Sequence, residues 1–289
     1  MDPSPSPPPE KGRVFPAGRV ALYAGLCVGA VVFMVPFLWM LSTALRPEGT
    51  ASLLTLDLIP DRLDFSNFKK ALLTPQYPFL RFFANTVVIT GLALSGQVLS
   101  AAWVAYGFAR LKFRWKGPLF LLLLSTMMIP FQVTMIPRFF LFRELGWIDS
   151  WLPLIVPAWF GGGAFNIFLL NQFFKTIPQA MDEAAKMDGC SHPRIFWSVM
   201  LPQAKPALGA VAIFGFMGNW NDYLGPLIYL SSLEKYTLSL GLQLFQTSSD
   251  IIDLTLLMAA SLAVLMPCLV VYFFGQRFFV QGVVVTGIK

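Results

Sequence analysis

Six stretches of this 289-residue sequence run for 16 to 28 residues without Asp, Glu, Lys or Arg. A helix needs about 20 mostly apolar residues to cross a bilayer, because each residue rises about 1.5 Å against a hydrocarbon core of about 30 Å. Five stretches are long enough alone, and the fifth in order continues as a charge-free run beyond Asp222. The sequence therefore predicts six membrane-spanning helices. The stretches are Val20–Leu45, Phe82–Ala109, Gly117–Pro137, Ser150–Phe174, Pro206–Asn221 and Leu254–Gln276.

The composition excludes the main alternatives to a helical membrane protein. Apolar residues make up 56% of the chain and charged residues 12%, about half the charge of an average soluble domain. Disordered chains are poor in apolar residues, and strands of membrane barrels alternate apolar and polar residues, which the run Leu119–Leu124 does not. We therefore expect an all-α integral membrane protein, with a disordered Pro-rich tail over 1–18 and a transmembrane domain over 19–289. The expected helices are 20–45, 82–109, 117–137, 150–174, 206–228 and 254–276.

The positive residues predict the orientation of the six helices. With both termini inside, the inner segments hold 13 Lys and Arg against 5 acids, a net charge of +8. The outer segments hold 8 Lys and Arg against 10 acids, a net charge of −2. Because cytoplasmic loops carry the excess of Lys and Arg, both termini are predicted to be cytoplasmic. The overall charge of +6 thus indicates anchoring to the bilayer and not nucleic-acid binding.

The chain lacks the residues that most catalytic or energy-converting sites need. Its single histidine, His192, cannot form a His-pair metal site, and its three cysteines show no metal or disulfide spacing. No Gly-Lys dipeptide occurs, so there is no phosphate-binding loop of the GxxxxGK type. Few charges interrupt the helices, which argues against an ion-coupled carrier. We expect no enzyme activity and no bound cofactor, so the energy for any transport must come from another protein.

The longest predicted inner loop, 175–205, contains two helix signals. Pro178 suits the first turn of a helix, where its missing N–H costs nothing, and Gly189 suits the left-handed position that ends one. Ser191 can then cap a second helix over Pro193–Leu201, which Pro202 stops. That second helix carries five apolar side chains that either pack under the helix ends, lie in the membrane interface, or contact a partner. They are Ile195, Phe196, Trp197, Val199 and Met200.

The same loop resembles a family signature. Glu183-Ala184-Ala185, then Gly189 after three residues, then Val199-Met200-Leu201-Pro202 after nine more, resembles the EAA motif of ABC-importer permeases. The resemblance implies two short helices that dock on an ATPase subunit, which binds the ATP and Mg²⁺. Small residues at three motif positions would let another surface approach closely. The residues implied in this coupling are Glu183, Ala184, Ala185, Asp188, Gly189 and Pro202.

The resemblance covers nearly the full chain from about residue 18. Segments across it are similar to the second, maltose-transporter-like permease subunit of carbohydrate importers, although Asn171 stands where Arg is expected. This implies four kinds of contact: a second permease subunit, an ATPase dimer, an extracytoplasmic sugar-binding protein, and the lipid of a bacterial inner membrane. The matching segments are Pro36–Arg46, Asn85-Thr86, Ala105–Arg110, Ile129-Pro130, Phe168–Phe174, Trp220-Asn221-Asp222 and Gly282–Lys289.

Two features bear on the path of the solute. The polar group Asn219, Trp220, Asn221 and Asp222 lies near the outer end of the fifth predicted helix. It either lines the outer mouth of a translocation path or forms hydrogen bonds between helices. Gly161–Gly163 permits either a bend or close packing of the fourth helix.

The function is expected to be sugar import, but other solutes stay open. Alternatives are a permease for glycerol phosphate, amino acid or peptide, or a self-sufficient secondary transporter or membrane enzyme. The resemblance implies that the outer loop over Tyr223–Asp253 reaches the binding protein, and its polar stretch around Gln243–Asp253 fits an exposed loop.

Overall fold

The computed structural model describes residues 16–50, 58–74, 78–247 and 254–284, and within them every regular element is helical. Short 3₁₀ segments follow α4 and α6 and precede α13, and a π turn, Phe196–Met200, joins α9 to α10. The α-helices are α1 Pro16–Ala44, α2 Ser66–Leu73, α3 Phe79–Arg110, α4 Lys116–Ser125, α5 Phe131–Glu144, α6 Leu152–Ile155, α7 Ala164–Thr176, α8 Gln179–Met187, α9 His192–Ile195, α10 Leu201–Gln203, α11 Lys205–Trp220, α12 Leu224–Tyr229, α13 Leu238–Thr247 and α14 Leu254–Val284.

Four continuous segments of the described chain are long and apolar enough to cross a membrane, and two bent pairs raise the number to six. The prediction of an all-helical fold is confirmed, and six spans are reached when each bent pair counts as one. α1 begins at Pro16, so residues 16–18, assigned to the tail by sequence, are helical. The four continuous segments are Gly18–Ala44, Phe79–Arg110, Leu152–Thr176 and Leu254–Gln276.

The third span is not the straight helix expected over 117–137. Lys116–Met128 and Phe131–Glu144 meet at an angle of 98°. Ile129 is extended, with φ −84° and ψ 113°, because the ring of Pro130 excludes the helical conformation for the residue before it. Helix α5 then runs seven residues past the predicted end, with Pro137 inside it.

The fifth span also differs from its expected range of 206–228. Helix α11 ends at Trp220 and α12 starts separately at Leu224. The carboxylate of Asp222 accepts a hydrogen bond from the N–H of Gly225 at 3.1 Å. This local bond to the backbone competes with continuation of the helix. At its other end α11 meets the helix His192–Gln203 at 81°.

The helical structure of the fourth span is interrupted at its three glycines, and one of them packs closely against α3. Gly161, Gly162 and Gly163 all have positive φ, and α7 starts after them. A Cβ atom on Gly162 would lie 2.2 Å from the carbonyl oxygen of Gln97 in α3. Close packing, one of the two alternatives left open by the sequence, is therefore found at Gly162, where the helical hydrogen bonding is also interrupted.

Helix α3 is the central helix, since α7, α11, α13 and the 3₁₀ segment after α6 all pack on it. Each end of α3 belongs to a different hydrophobic cluster. Ala101–Tyr106 join residues of α7 and the loop 177–204 in the first cluster. Phe79 and Phe82 join Trp220, α13 and α14 in the second. The helix therefore links the inner loop to the opposite end of the bundle.

Candidate functional site

The loop between α7 and α11 folds as two short helices with a glycine turn between them. Gly189 has φ 78°, and the N–H of Cys190 donates to the carbonyl of Ala185 at 2.9 Å, which closes the C-terminus of α8. The left-handed conformation predicted for Gly189 is confirmed. Pro178 precedes the first helical residue, with φ −58° and ψ 136°.

The second helix of the loop is longer than predicted. It runs from His192 to Gln203 and does not stop at Pro202. A π turn over Phe196–Met200 comes first, and its wider hydrogen-bond spacing accommodates a proline that an uninterrupted α-helix would resist. Ser191 occupies the position before the helix, yet its side chain makes no capping hydrogen bond.

Helix α8 has an inward face and an outward face. Asp182 and Ala185 are buried. Eight residues of α8 and its turn are exposed, and the apolar side chain of Met187 is 86% exposed. Pro202 is exposed as well. Of the six residues implied in coupling, Ala185 alone points into the protein. The exposed residues of α8 and its turn are Gln179, Ala180, Glu183, Ala184, Lys186, Met187, Asp188 and Gly189.

A buried ion pair joins α8 to the end of α3. The Nε of Arg110 lies 3.2 Å from Oδ2 of Asp182, and their side chains are only 5% and 9% exposed. The Nη2 of Arg110 also donates to the carbonyl of Ile177 at 2.6 Å. Arg110 therefore holds both the start of the loop and its first helix. From the sequence, Arg110 is recognisable only as a positive residue of an inner segment, because its ion-pair partner Asp182 lies 72 residues away.

The apolar side chains of the second loop helix divide between two environments. Ile195, Phe196 and Met200 are buried in the first cluster, under the ends of α3 and α7. The Phe196 ring lies edge-on to Trp103 at 4.7 Å. Trp197 is 53% exposed. Packing under the helix ends, one of the three alternatives, therefore accounts for the three buried side chains and leaves Trp197 outside.

One further polar contact connects the second loop helix to α3. The hydroxyl of Tyr106 lies 3.3 Å from Nδ1 of His192. The first loop helix thus contacts α3 through the Arg110–Asp182 ion pair, and the second contacts it through Tyr106 and His192. Both contacts lie in the last two turns of α3.

The four residues Asn219–Asp222 at the C-terminal end of α11 have two kinds of surroundings. Asn219 donates to the carbonyl of Gly215 at 2.8 Å and to Oε1 of Gln97 at 3.2 Å. Trp220 is buried, and its Nε1 donates to the carbonyl of Val264 at 3.2 Å. These two side chains form hydrogen bonds within and between helices. Asn221, which also donates to the carbonyl of Met217 at 2.8 Å, and Asp222 line a cavity.

That cavity has a volume of about 830 Å³ and lies between α5, the fourth span and α12. Phe160, one of its lining residues, is 82% exposed, so the cavity is open and not enclosed. Its lining combines aromatic rings with one cation and one carboxylate. The residues are Phe131, Arg138, Leu141, Phe142, Pro153, Leu154, Pro157, Phe160, Asn221, Asp222, Tyr223, Leu224, Gly225 and Tyr229.

A second cluster that the sequence analysis missed centres on Asp149, before α6. Its Oδ1 accepts from the N–H groups of Ser231 and Ser232 at 3.0 and 2.9 Å, and Oδ2 lies 2.8 Å from the Lys235 ammonium. The Lys235 ammonium, followed by the Ser232 hydroxyl and the two N–H groups, holds the pKa of Asp149 well below its ordinary value. We call this group the Asp149 cluster.

The residues on either side of Lys235 in the Asp149 cluster also contact the first turns of α3. Asn85 donates to the carbonyls of Glu234 and Tyr236, both at 2.9 Å. Leu238 and Phe245 of α13 are buried in the second cluster. The expected outer loop is therefore largely folded onto the protein as far as α13. The end of the polar stretch that was expected to be exposed, residues 248–253, lies outside the described residues.

No group of three or more His, Cys, Asp or Glu that could hold a metal ion occurs in the part of the chain that the structure describes. The three cysteines, Cys27, Cys190 and Cys268, are free thiols. Asn171, where the resemblance leads one to expect Arg, is buried and donates to the carbonyl of Ala105 at 3.3 Å.

Comparison with known proteins gives matches over most of the chain. AraQ, an arabinooligosaccharides transport system permease protein of Bacillus subtilis (strain 168), is 30% identical over 95% of this chain and 97% of its own. NgcG, a diacetylchitobiose uptake system permease protein of Streptomyces coelicolor, is 31% identical over 88% of this chain and 84% of its own.

A solved structure shares the fold. It belongs to a bacterial ABC transporter involved in the import of the acidic polysaccharide alginate, with a TM-score of 0.81 and 24% identity over 94% of this chain and 100% of that chain. Residues 97–285 match the family described as binding-protein-dependent transport system inner membrane component. The resemblance stated from the EAA motif is confirmed. The chain belongs to the family of binding-protein-dependent transport system inner membrane components.

Proposed function

We propose that this protein is the membrane-spanning permease subunit of an ATP-driven importer for a sugar. The relatives AraQ and NgcG are named for arabinooligosaccharide and diacetylchitobiose transport, and each matches at least 88% of this chain. A shared fold alone would not support a solute class. The support for sugar therefore comes from these full-length relatives and from the carbohydrate-permease segments in the sequence.

The proposal includes the partners and the orientation. This chain forms half of the path beside a second permease subunit, and an extracytoplasmic binding protein delivers the solute. ATP and Mg²⁺ bind to an ATPase dimer, and this chain binds no cofactor. It spans the inner membrane with both termini cytoplasmic, which the excess of Lys and Arg in its inner segments supports.

The observation that carries the coupling mechanism is the Arg110–Asp182 ion pair. The ATPase dimer docks on the exposed residues of α8 and its turn, where Glu183, Ala184, Asp188 and Gly189 lie. Behind that face, Asp182 is tied to Arg110 at the end of α3. A displacement of α8 by the closing ATPase dimer thus reaches α3, the helix on which most of the bundle packs.

Charge variants of the ion pair test this mechanism in the complete transporter, reconstituted in proteoliposomes with its binding protein. Replacing Asp182 by Asn leaves the Arg110 charge buried without a partner, a change that costs about 3–5 kcal/mol in comparable pairs. We expect uptake to fall while ATP hydrolysis continues. Arg110→Met should act in the same direction. The exchanged pair, Arg110→Asp with Asp182→Arg, should recover part of the uptake.

The matched control is Lys69→Gln, which removes an exposed charge from α2, outside the face of α8 proposed to dock on the ATPase. It should leave both uptake and hydrolysis close to those of the wild-type complex. Normal coupled uptake in Asp182→Asn would contradict the mechanism. Uptake of glycerol phosphate, an amino acid or a peptide by the wild-type complex, with no uptake of any saccharide, would contradict the proposed solute class.

A further inference from the structure

The cavity that Asn221 and Asp222 line is of a size suited to a small ligand. Its volume of about 830 Å³ falls within the range of about 300–1,000 Å³ that is usual for ligand sites. Residues from four parts of the chain meet there, namely α5, the fourth span, the residues after α11, and α12. A ligand in it would therefore contact parts of the chain up to 98 residues apart, from Phe131 to Tyr229.

Two charged groups of the lining have unused binding capacity. Oδ1 of Asp222 accepts the N–H of Gly225, and within the described residues no donor is bonded to Oδ2. Arg138 makes no ion pair with another described residue, and its guanidinium lies 5.6 Å from the centre of the Phe131 ring. Charged side chains facing an acyl chain are costly in a membrane protein. This lining favours a polar ligand over a lipid tail.

The remaining lining is largely aromatic. Five rings surround the cavity, and two of them, Phe142 and Tyr229, are buried against each other at 5.2 Å, which fixes that wall. Phe160 is the most exposed of the five. Apolar walls with a few placed polar groups are typical of small-molecule sites, and aromatic faces stack on the C–H faces of sugar rings.

We infer that this cavity binds one sugar ring of a neutral oligosaccharide, with Asp222 and Arg138 bonded to its hydroxyls. The inference rests on the proposed sugar-import function. One carboxylate and one guanidinium line the cavity, so their charges cancel. A sugar hydroxyl donates to the first and accepts from the second. A charged sugar would gain from one of these two groups what it loses to the other, and it would also lose the hydration of its own charge.

The test uses the complete transporter in proteoliposomes with saturating binding protein. The labelled probes are arabinotriose, galactobiose, diacetylchitobiose and the anionic digalacturonate. Asp222→Asn and Arg138→Gln should each lower the initial uptake of the transported neutral saccharide about tenfold, the loss expected for one charge-assisted hydrogen bond. The matched controls Arg143→Gln and Glu144→Gln alter exposed charges of α5 that do not line the cavity. They should stay within about twofold of wild type.

A labelling experiment keeps the inference testable if a charge variant fails to assemble. With the three natural cysteines replaced, Phe160→Cys is treated with a maleimide, and the transported neutral saccharide should slow its labelling. Phe214→Cys, which is exposed on α11 and outside the lining, should label at the same rate with and without saccharide. Digalacturonate should protect neither position.

The two proposals fail in different ways. A wild-type complex that imports none of the saccharides contradicts the sugar-import function and the inference with it. A wild-type complex that imports a neutral saccharide, with normal uptake in both charge variants and no protection at position 160, contradicts the inference alone. Equal protection by digalacturonate would overturn the assignment of a neutral sugar.

Discussion

Among single residues, Gly162 combines a backbone conformation and a close contact that only glycine satisfies. Its φ is 64°, and an added Cβ would meet the carbonyl oxygen of Gln97 at 2.2 Å. Gly162→Ala should therefore both strain the backbone and push α3 away from the fourth span. We expect a loss of on the order of 3 kcal/mol in stability, seen as a lower thermal midpoint of the purified complex in detergent.

A substitution at the neighbouring Gly161 separates the backbone strain from the close contact with Gln97. Gly161 also has positive φ, 102°, but an added Cβ there would contact nothing within 4 Å. Gly161→Ala should lower the stability by about 1–2 kcal/mol through backbone strain alone. Equal thermal midpoints for the two variants would show that the contact with Gln97 is unimportant.

The sequence is informative about residues whose role is local. The conformation of Gly189 follows from its place after a helical run, and the structure agrees. The partners of Asp182 and Asp149 could not be predicted in this way. Arg110 is 72 residues from Asp182, and Lys235 is 86 residues from Asp149. Such pairs depend on how helices pack, and an isolated acid in a sequence does not indicate which distant cation it will face.

At the scale of helices and loops, the Asp149 cluster makes a prediction about pH. Because its bonds hold the pKa of Asp149 below the ordinary value, the ionised carboxylate stabilises the folded loop. This contribution is complete above the unfolded pKa of about 3.9 and is lost as the pH falls toward the lower folded pKa. The difference in thermal midpoint between wild type and Asp149→Asn should therefore be constant from pH 8 to about 5 and shrink below about 4.

The control for this measurement is Glu144→Gln, which removes a carboxylate of an exposed pair with Arg143 on the same segment. Exposed pairs contribute little, so its thermal midpoint should follow that of wild type at every pH. A difference between wild type and Asp149→Asn that grows as the pH falls would reverse the assigned sign and remove the cluster as a stabilising element.

Charge-free stretches locate spans but say little about their shape. All six lie mainly on helices of the structure, because burial of the backbone in lipid requires helical hydrogen bonding, and breaks occur only at the third and fourth stretches, at 129–130 and 160–163. The bends of 98° and 81° were not expected, although Pro130 marks the first. Helix α13 was expected as part of an exposed loop. Leu238 and Phe245 are instead buried, and a short amphipathic segment does not reveal which of its faces the protein will cover.

At the scale of the whole molecule, α3 connects the loop between α7 and α11 at one end to the residues around Lys235 at the other. Its 32 residues span about 48 Å. At one end Arg110 and Tyr106 contact the two helices of the inner loop. At the other, Asn85 donates hydrogen bonds to the carbonyls of Glu234 and Tyr236, on either side of Lys235. A helix bonded at both ends in this way is consistent with the proposed transmission of a movement of α8 to the opposite end of the bundle.

The distribution of charge over the whole molecule predicts which side each end of α3 faces. In a variant without the three natural cysteines, Phe113→Cys places one thiol in the loop between α3 and α4, where Phe113 is 42% exposed. A membrane-impermeant maleimide should label it in inverted vesicles and not in intact cells, because the segment 110–116 carries four positive charges and no acid.

A second cysteine, on the side predicted to be outer, tests the orientation from the other face of the membrane. Thr50→Cys in the same background lies on an exposed residue after α1, on the side predicted to be outer, and should be labelled in intact cells. Both substitutions leave every charged residue in place, so they do not disturb the charge difference that sets the orientation. The reverse labelling pattern would place the inner loop outside the cell, where no ATP-driven partner could reach Glu183 or Gly189, and would refute the proposed coupling.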